Sequence, residues 1–241
     1  MHRLAAWFLA LFLAAPGMAQ PVQPVDLALV LSVDSSGSVD DLEFELQRVG
    51  YAEALVHPDV LRAIRSGPHK AIALSFVEWS GPDIESEIVG WTRIATAADA
   101  RAVAARILAA PRTIFGGGTG IGAALVSGLA RLEASPFKAK RRIIDISGDG
   151  FNNRGTLPDL VRDGVVARGV VINGLTVGDR DGWLTEYFKE FVIGGRGAFV
   201  LAAKDFKDFQ RAVARKLIRE IFVSEIGVLP LRAESLNSRK D

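Results

Sequence analysis

Asp34, Ser36 and Ser38 stand at alternate positions in "LVLSVDSSGSVDD", residues 29–41. An aliphatic run stops at Asp34 and gives way to oxygen-bearing side chains. Oxygen-only donors suit hard cations, Mg²⁺, Mn²⁺ or Ca²⁺. Two later segments carry donors of the same kind: "GGGTGIGAAL" (116–125) holds Thr119, and "SGDGFNN" (147–153) holds Asp149. Together they offer two carboxylates and three hydroxyls. Two carboxylates only neutralise a dication, and hydroxyls add no charge. A cation so held keeps an appetite for an anion, and a carboxylate from another molecule fits its open position. Few carboxylates and room for water suit Mg²⁺ better than a full Ca²⁺ cage.

The surrounding pattern says how these segments meet. "LALVLSV" (27–33) is almost continuously apolar and reads as a strand buried on both faces. The next helix spans 39–55, with Ser38 as its N-cap and Leu42, Leu46, Val49 and Ala52 on its apolar side. Strands at 71–79 and 86–94, joined by "SGPDIE", predict an antiparallel hairpin. A helix over 96–110 ends at Pro111, and another begins near Thr119. Then come a strand (141–147), a helix (156–169), a strand (170–177), a short helix (183–194), a strand (198–203) and an amphipathic helix (205–222). The last lines one face with Phe206, Phe209, Val213, Leu217 and Ile221. This alternation predicts one α/β domain: a doubly wound, mainly parallel six-stranded sheet with one antiparallel edge strand and helices on both faces. In such sheets ligands bind beyond the carboxyl ends of the strands, where Asp34, Thr119 and Asp149 then share one edge.

Composition narrows the function. The chain has 241 residues, a formal net charge of +1, 49% hydrophobic residues and no cysteine. That is enough for one sizeable core. Without a basic run or stripe, nucleic acid is not an expected partner. Without cysteine there is no disulfide, thiolate metal site or cysteine nucleophile. "MHRLAAWFLALFLAAPGMAQ" has the layout of a signal peptide: a positive start, a short apolar run, small residues near a cut after Ala19. The expected division is a signal peptide (1–19), a Pro-rich lead-in (20–25), the domain (26–222) and a tail (223–241), in a periplasmic or secreted protein with no membrane span once the leader is removed.

The three segments resemble the metal-ion-dependent adhesion site of von Willebrand factor type A domains, the fold shared with integrin I domains. "DSSGS" matches the D-x-S-x-S motif, "GGGTGIGAAL" is similar to the G-G-T-x-T-G-x-A-L loop, and "SGDG" to the T-D-G strand end. The likeness runs over residues 26–222 and, with the leader, resembles a bacterial exported branch. It implies that Asp34, Ser36, Ser38, Thr119 and Asp149 are the metal ligands, Asp149 directly or through water. It also implies recognition of a partner protein that supplies an acidic side chain. Two positions depart from the pattern: Ile121 replaces the second threonine, and Gly148 replaces the threonine before the aspartate.

Other readings use the same residues. A cap alone explains "DSSGS" in isolation. An EF-hand loop puts Asp34, Ser36, Ser38, Asp40 and Glu45 at ligand positions, but Val39 sits where glycine is needed. Gly118, Gly120 and Ala123 satisfy a relaxed dinucleotide pattern without an evident strand before them. A metal-assisted phosphoester hydrolase using the same site is the alternative function. A Ser-His-Asp arrangement lacks a base, since only His57 and His69 follow the leader. Asp145, inside a strand, is a buried polar residue or a neighbour of a hairpin loop. Core packing is expected for at least two of Trp79, Trp91 and Trp183, and plain loop formation for Asn152 and Asn153.

Overall fold

β1 (Pro24–Asp34) sets the architecture, because its side chains alternate between two cores. Leu27, Leu29, Leu31 and Val33 face one cluster, while Ala28 and Val30 face the other. A strand covered on both faces has no need of polar alternation, which is why it reads as a continuous apolar run. The computed structural model describes residues 23–222. The expected signal peptide, residues 20–22 of the lead-in and the tail from 223 lie outside the described residues.

α1 (Asp41–Val56), α2 (Pro58–Ser66), β2 (Ile72–Trp79), β3 (Glu85–Ile94) and α3 (Ala97–Ala109) follow β1. Then come α4 (Ile121–Glu133), β4 (Lys138–Gly148), α5 (Pro158–Ala167), β5 (Val171–Val177) and α6 (Trp183–Tyr187). α6 continues as a π-turn over Phe188–Val192 before β6 (Val200–Ala203) and α7 (Phe206–Ile221). The sheet order is β3-β2-β1-β4-β5-β6, parallel throughout except for β3, which pairs antiparallel with β2 at the edge. α1, α2, α3 and α7 cover one face, and α4, α5 and α6 the other. The chain moves outward in opposite directions from β1 and β4, so a crevice opens between their carboxyl ends. Among the described residues no helix is long and apolar enough to cross a membrane.

Several expectations need correction. β1 begins at Pro24, inside the supposed lead-in, and Val25 is buried opposite Ala139. Proline is harmless there, because a first strand residue need not donate. α2 was not foreseen. His57 caps it through the Asp59 N–H, and Pro58 supplies its first turn. α1 buries Phe44, Gln47, Arg48, Tyr51 and Leu55, whereas Leu42 and Val49 are exposed. Its N-cap is Asp40, in a reciprocal box with Glu43, and not Ser38. α7 buries Phe209, Val213, Leu217 and Ile221 as its period predicts. Trp79 and Trp91 pack in the core, the latter donating to the Arg131 carbonyl, while Trp183 is 74% exposed.

Candidate metal centre

Asp34 is the last residue of β1 and is fully buried. Its Oδ1 accepts from the Ser36 N–H at 2.8 Å, which fixes the carboxylate against its own turn. Its Oδ2 is buried and has no hydrogen-bond partner. Beyond it, a chain of side-chain oxygens crosses all three loops. Thr119 Oγ1 lies 3.3 Å from Ser36 Oγ, Ser36 Oγ lies 3.3 Å from Ser38 Oγ, and Ser38 Oγ donates to Asp149 Oδ1 at 2.8 Å. The five candidate residues, up to 115 positions apart in sequence (34 to 149), therefore meet at one sheet edge. Because Asp40 caps α1, the Ser38 hydroxyl is free to reach Asp149. Asp40 accepts from the Glu43 N–H and is turned to the helix, which removes it from an EF-hand-like set.

Burial pushes the Asp34 carboxyl up to about 7, and the nearby Asp149 charge adds to the rise against the pull of the Ser36 N–H. Asp149 is raised as well, again chiefly by burial, with the Ser38 hydroxyl opposing. Two carboxylates desolvated together with one orphaned oxygen lack positive charge. An all-oxygen set with this deficit fits a small hard dication. No group of three or more His, Cys, Asp or Glu among the described residues could hold a metal. Any cation here must lean on hydroxyls.

The glycine loop, residues 111–120, has no secondary structure of its own and is pinned from several sides. The Ser80 hydroxyl, just past β2, lies 2.8 Å from the Gly116 carbonyl and 3.0 Å from that of Gly118, and its own carbonyl accepts from the Gly120 N–H. Gly117 has φ +104°, and a Cβ there would meet Ser80 Oγ at 2.3 Å, so only glycine fits. Arg48 pairs with Glu78 and donates to the Ala110 and Pro111 carbonyls. Arg112 bonds the Val39 carbonyl and Asp41 and lies over the Phe44 ring. On the other side the Asn153 carboxamide oxygen accepts from the Thr119 N–H at 2.8 Å, and Asn152 Oδ1 from the Gly122 N–H. The asparagines thus frame the site and do more than form a loop. Beneath it, the buried Tyr51 hydroxyl donates to Ser147 Oγ at 3.0 Å. Residues 111–120 contain no strand, which disposes of the dinucleotide pattern. His69 lies by Asp26, near the start of β1, and His57 follows the far end of α1, both away from this edge.

Solved structures share this fold. The pilus adhesin SpaC from Lactobacillus rhamnosus GG is 16% identical, with a TM-score of 0.57 over 84% of this chain and 31% of its own. Proximal thread matrix protein 1 from the mussel byssus, with a zinc-occupied MIDAS motif, is 16% identical, with a TM-score of 0.58 over 82% of this chain and 48% of its own. A von Willebrand factor type A protein from Catenulispora acidiphila is 15% identical, with a TM-score of 0.55 over 82% and 43%. The chain therefore spans less than half the length of each of these three relatives. The fold is thus the one seen in these von Willebrand factor type A-like structures. The chain belongs to the family described as "Protein of unknown function (DUF1194)", whose profile matches residues 24–225. No curated protein matches it.

Proposed function

We propose that this domain binds a divalent cation, Mg²⁺ by preference, through Asp34, Ser36, Ser38, Thr119 and Asp149, and through it recognises an acidic side chain of a partner protein outside the cytoplasm. The observation that carries the reading is the buried, unpartnered Asp34 Oδ2 on the same turn as a hydroxyl chain, from Thr119 through Ser36 and Ser38, that ends on a second carboxylate. When bound, the cation supplies positive charge to two desolvated acids and an open position for a third. The domain's own part is to hold the donors rigid. Further support comes from the rim. Phe115, four residues before Thr119, is 78% exposed, and Phe151, two residues after Asp149, is 50% exposed. Apolar side chains beside a charged centre suit a protein partner better than a small phosphoester. The neighbours named adhesin and matrix protein agree with recognition and not turnover.

Calorimetry with Mg²⁺ tests this. The wild-type protein takes up one ion, and Asp34→Ala abolishes the heat while circular dichroism keeps its native form. Unchanged Mg²⁺ affinity in that variant overturns the assignment.

A further inference from the structure

Beside Thr119 the surface falls into a cleft of about 540 Å³, between the hairpin turn at Gly81–Ile84, the glycine loop at Gly117 and Gly118, and Asn153 with Arg154. Arg154 is held there by its backbone, whose N–H donates to the Thr119 carbonyl at 3.2 Å. Its side chain is laid across Gly118. A Cβ on that glycine would stand 2.2 Å from Arg154 Cγ and 3.2 Å from its Nε. Arg154 therefore lies with its Nε beside Gly118, the residue next to the candidate ligand Thr119. Yet among the described residues it forms no ion pair, although Asp83 stands in the adjoining turn. Arg112, the arginine on the opposite flank, is by contrast committed to Asp41, the Val39 carbonyl and the Phe44 ring.

An arginine left unpaired at the mouth of a cleft, next to a site built for one carboxylate, is a fork with its geometry already set for another. We infer that Arg154 and this cleft form an anion subsite that takes a second carboxylate from the same acidic segment whose first carboxylate completes the cation's coordination. The inference rests on the metal-dependent reading above and names its ligand class: an extended Asp-x-Asp or Asp-x-Glu segment. In extended chain the side chains at alternate positions share one face, about 6.6 Å apart. Such a segment can present one acid to the cation and the other to Arg154, which lies beside Gly118 next to Thr119. Adjacent acids point to opposite faces and cannot fill both.

The test titrates the protein by NMR in saturating Mg²⁺ with two end-blocked peptides, Gly-Asp-Gly-Asp-Gly and Gly-Asp-Gly-Asn-Gly. The two-acid peptide should bind about tenfold more tightly. Arg154→Ala should erase that difference while leaving the one-acid affinity as it was, and Arg154→Lys should recover part of it. Arg154 is exposed, so the fold does not depend on its side chain. Equal affinity for the two peptides, or a preference that survives Arg154→Ala, overturns the subsite and leaves the metal reading standing. An Arg154-dependent preference that persists in chelator keeps the subsite and sinks the metal reading. Failure of both peptides to bind protein shown to hold Mg²⁺ overturns the subsite and the recognition of an acidic partner through the cation.

Discussion

Gly148 departs from the family pattern at the point closest to the buried carboxylate. A Cβ on it would stand 3.1 Å from Asp34 Oδ2 and 3.3 Å from Asp34 Cβ. The oxygen it would crowd is the one without a partner. Glycine here gives that oxygen its room, and a methyl group would displace the carboxylate by a few tenths of an ångström. Gly148→Ala should therefore weaken Mg²⁺ binding by about tenfold, the scale typical of residues that orient ligands. Its backbone does not need the left-handed region, so the fold should survive. Calorimetry of the variant checks this, and an affinity equal to wild type would mean that Asp34 has slack. Ile121, the other departure, is fully buried against the second core and does packing in place of hydroxyl chemistry. The five oxygen-bearing residues were legible in the sequence because each follows a strand end or opens a helix. Ser80 and Asn153 were not. Their roles depend on which loops meet, across gaps of 36 and 34 residues, and no local pattern encodes that.

Elements explain how a loop without regular structure can hold Thr119 in place. Arg48 joins α1, β2 and the end of α3 where the glycine loop begins. Both Arg48 and Glu78 are nearly inaccessible. Removing one partner strands the other charge in the core, whereas replacing both avoids that cost. Arg48→Met should destabilise the protein by about 3–5 kcal/mol, and adding Glu78→Gln should recover much of the loss. Urea unfolding of the single and double variants checks it, and additive losses would mean that the pair is not coupled. This arginine also accounts for the misread face of α1. Apolar periodicity selects Leu42, Leu46 and Val49, but the helix buries Gln47 and Arg48, and Arg48 meets Glu78 and the loop carbonyls. A pattern that scores arginine as a surface residue cannot find that face. Strands fared better, since β1, β2 and β5 are buried along most of their length and announce themselves as largely apolar runs, and β4 does so over its second half.

Across the whole molecule, α7 is tied to the sheet through charge. Lys216 Nζ lies 2.6 Å from both Asp145 of β4 and Glu220 of its own helix, and Asn173 of β5 donates to Glu220 at 2.9 Å. All four side chains are buried. Asp145 had no role legible in sequence because its partners lie about 70 residues onward, on the helix that closes the fold. One ammonium faces two carboxylates, so one acid is in excess. Burial first, and the Glu220 charge second, push the Asp145 carboxyl up to about 7 against the pull of Lys216. An unfolded aspartate loses its proton near pH 4. Between about pH 4 and 7 the folded chain therefore holds a proton that the unfolded chain has released, and stability falls as pH rises through that window. Asparagine at 145 carries no charge to desolvate. Relative to wild type, Asp145→Asn should gain on the order of 2 kcal/mol between pH 4.5 and pH 7.5. Taking the difference between the two proteins cancels the titrating groups remote from this network. Chemical denaturation at the two pH values measures it. A difference that stays constant with pH would overturn the raised Asp145 carboxyl.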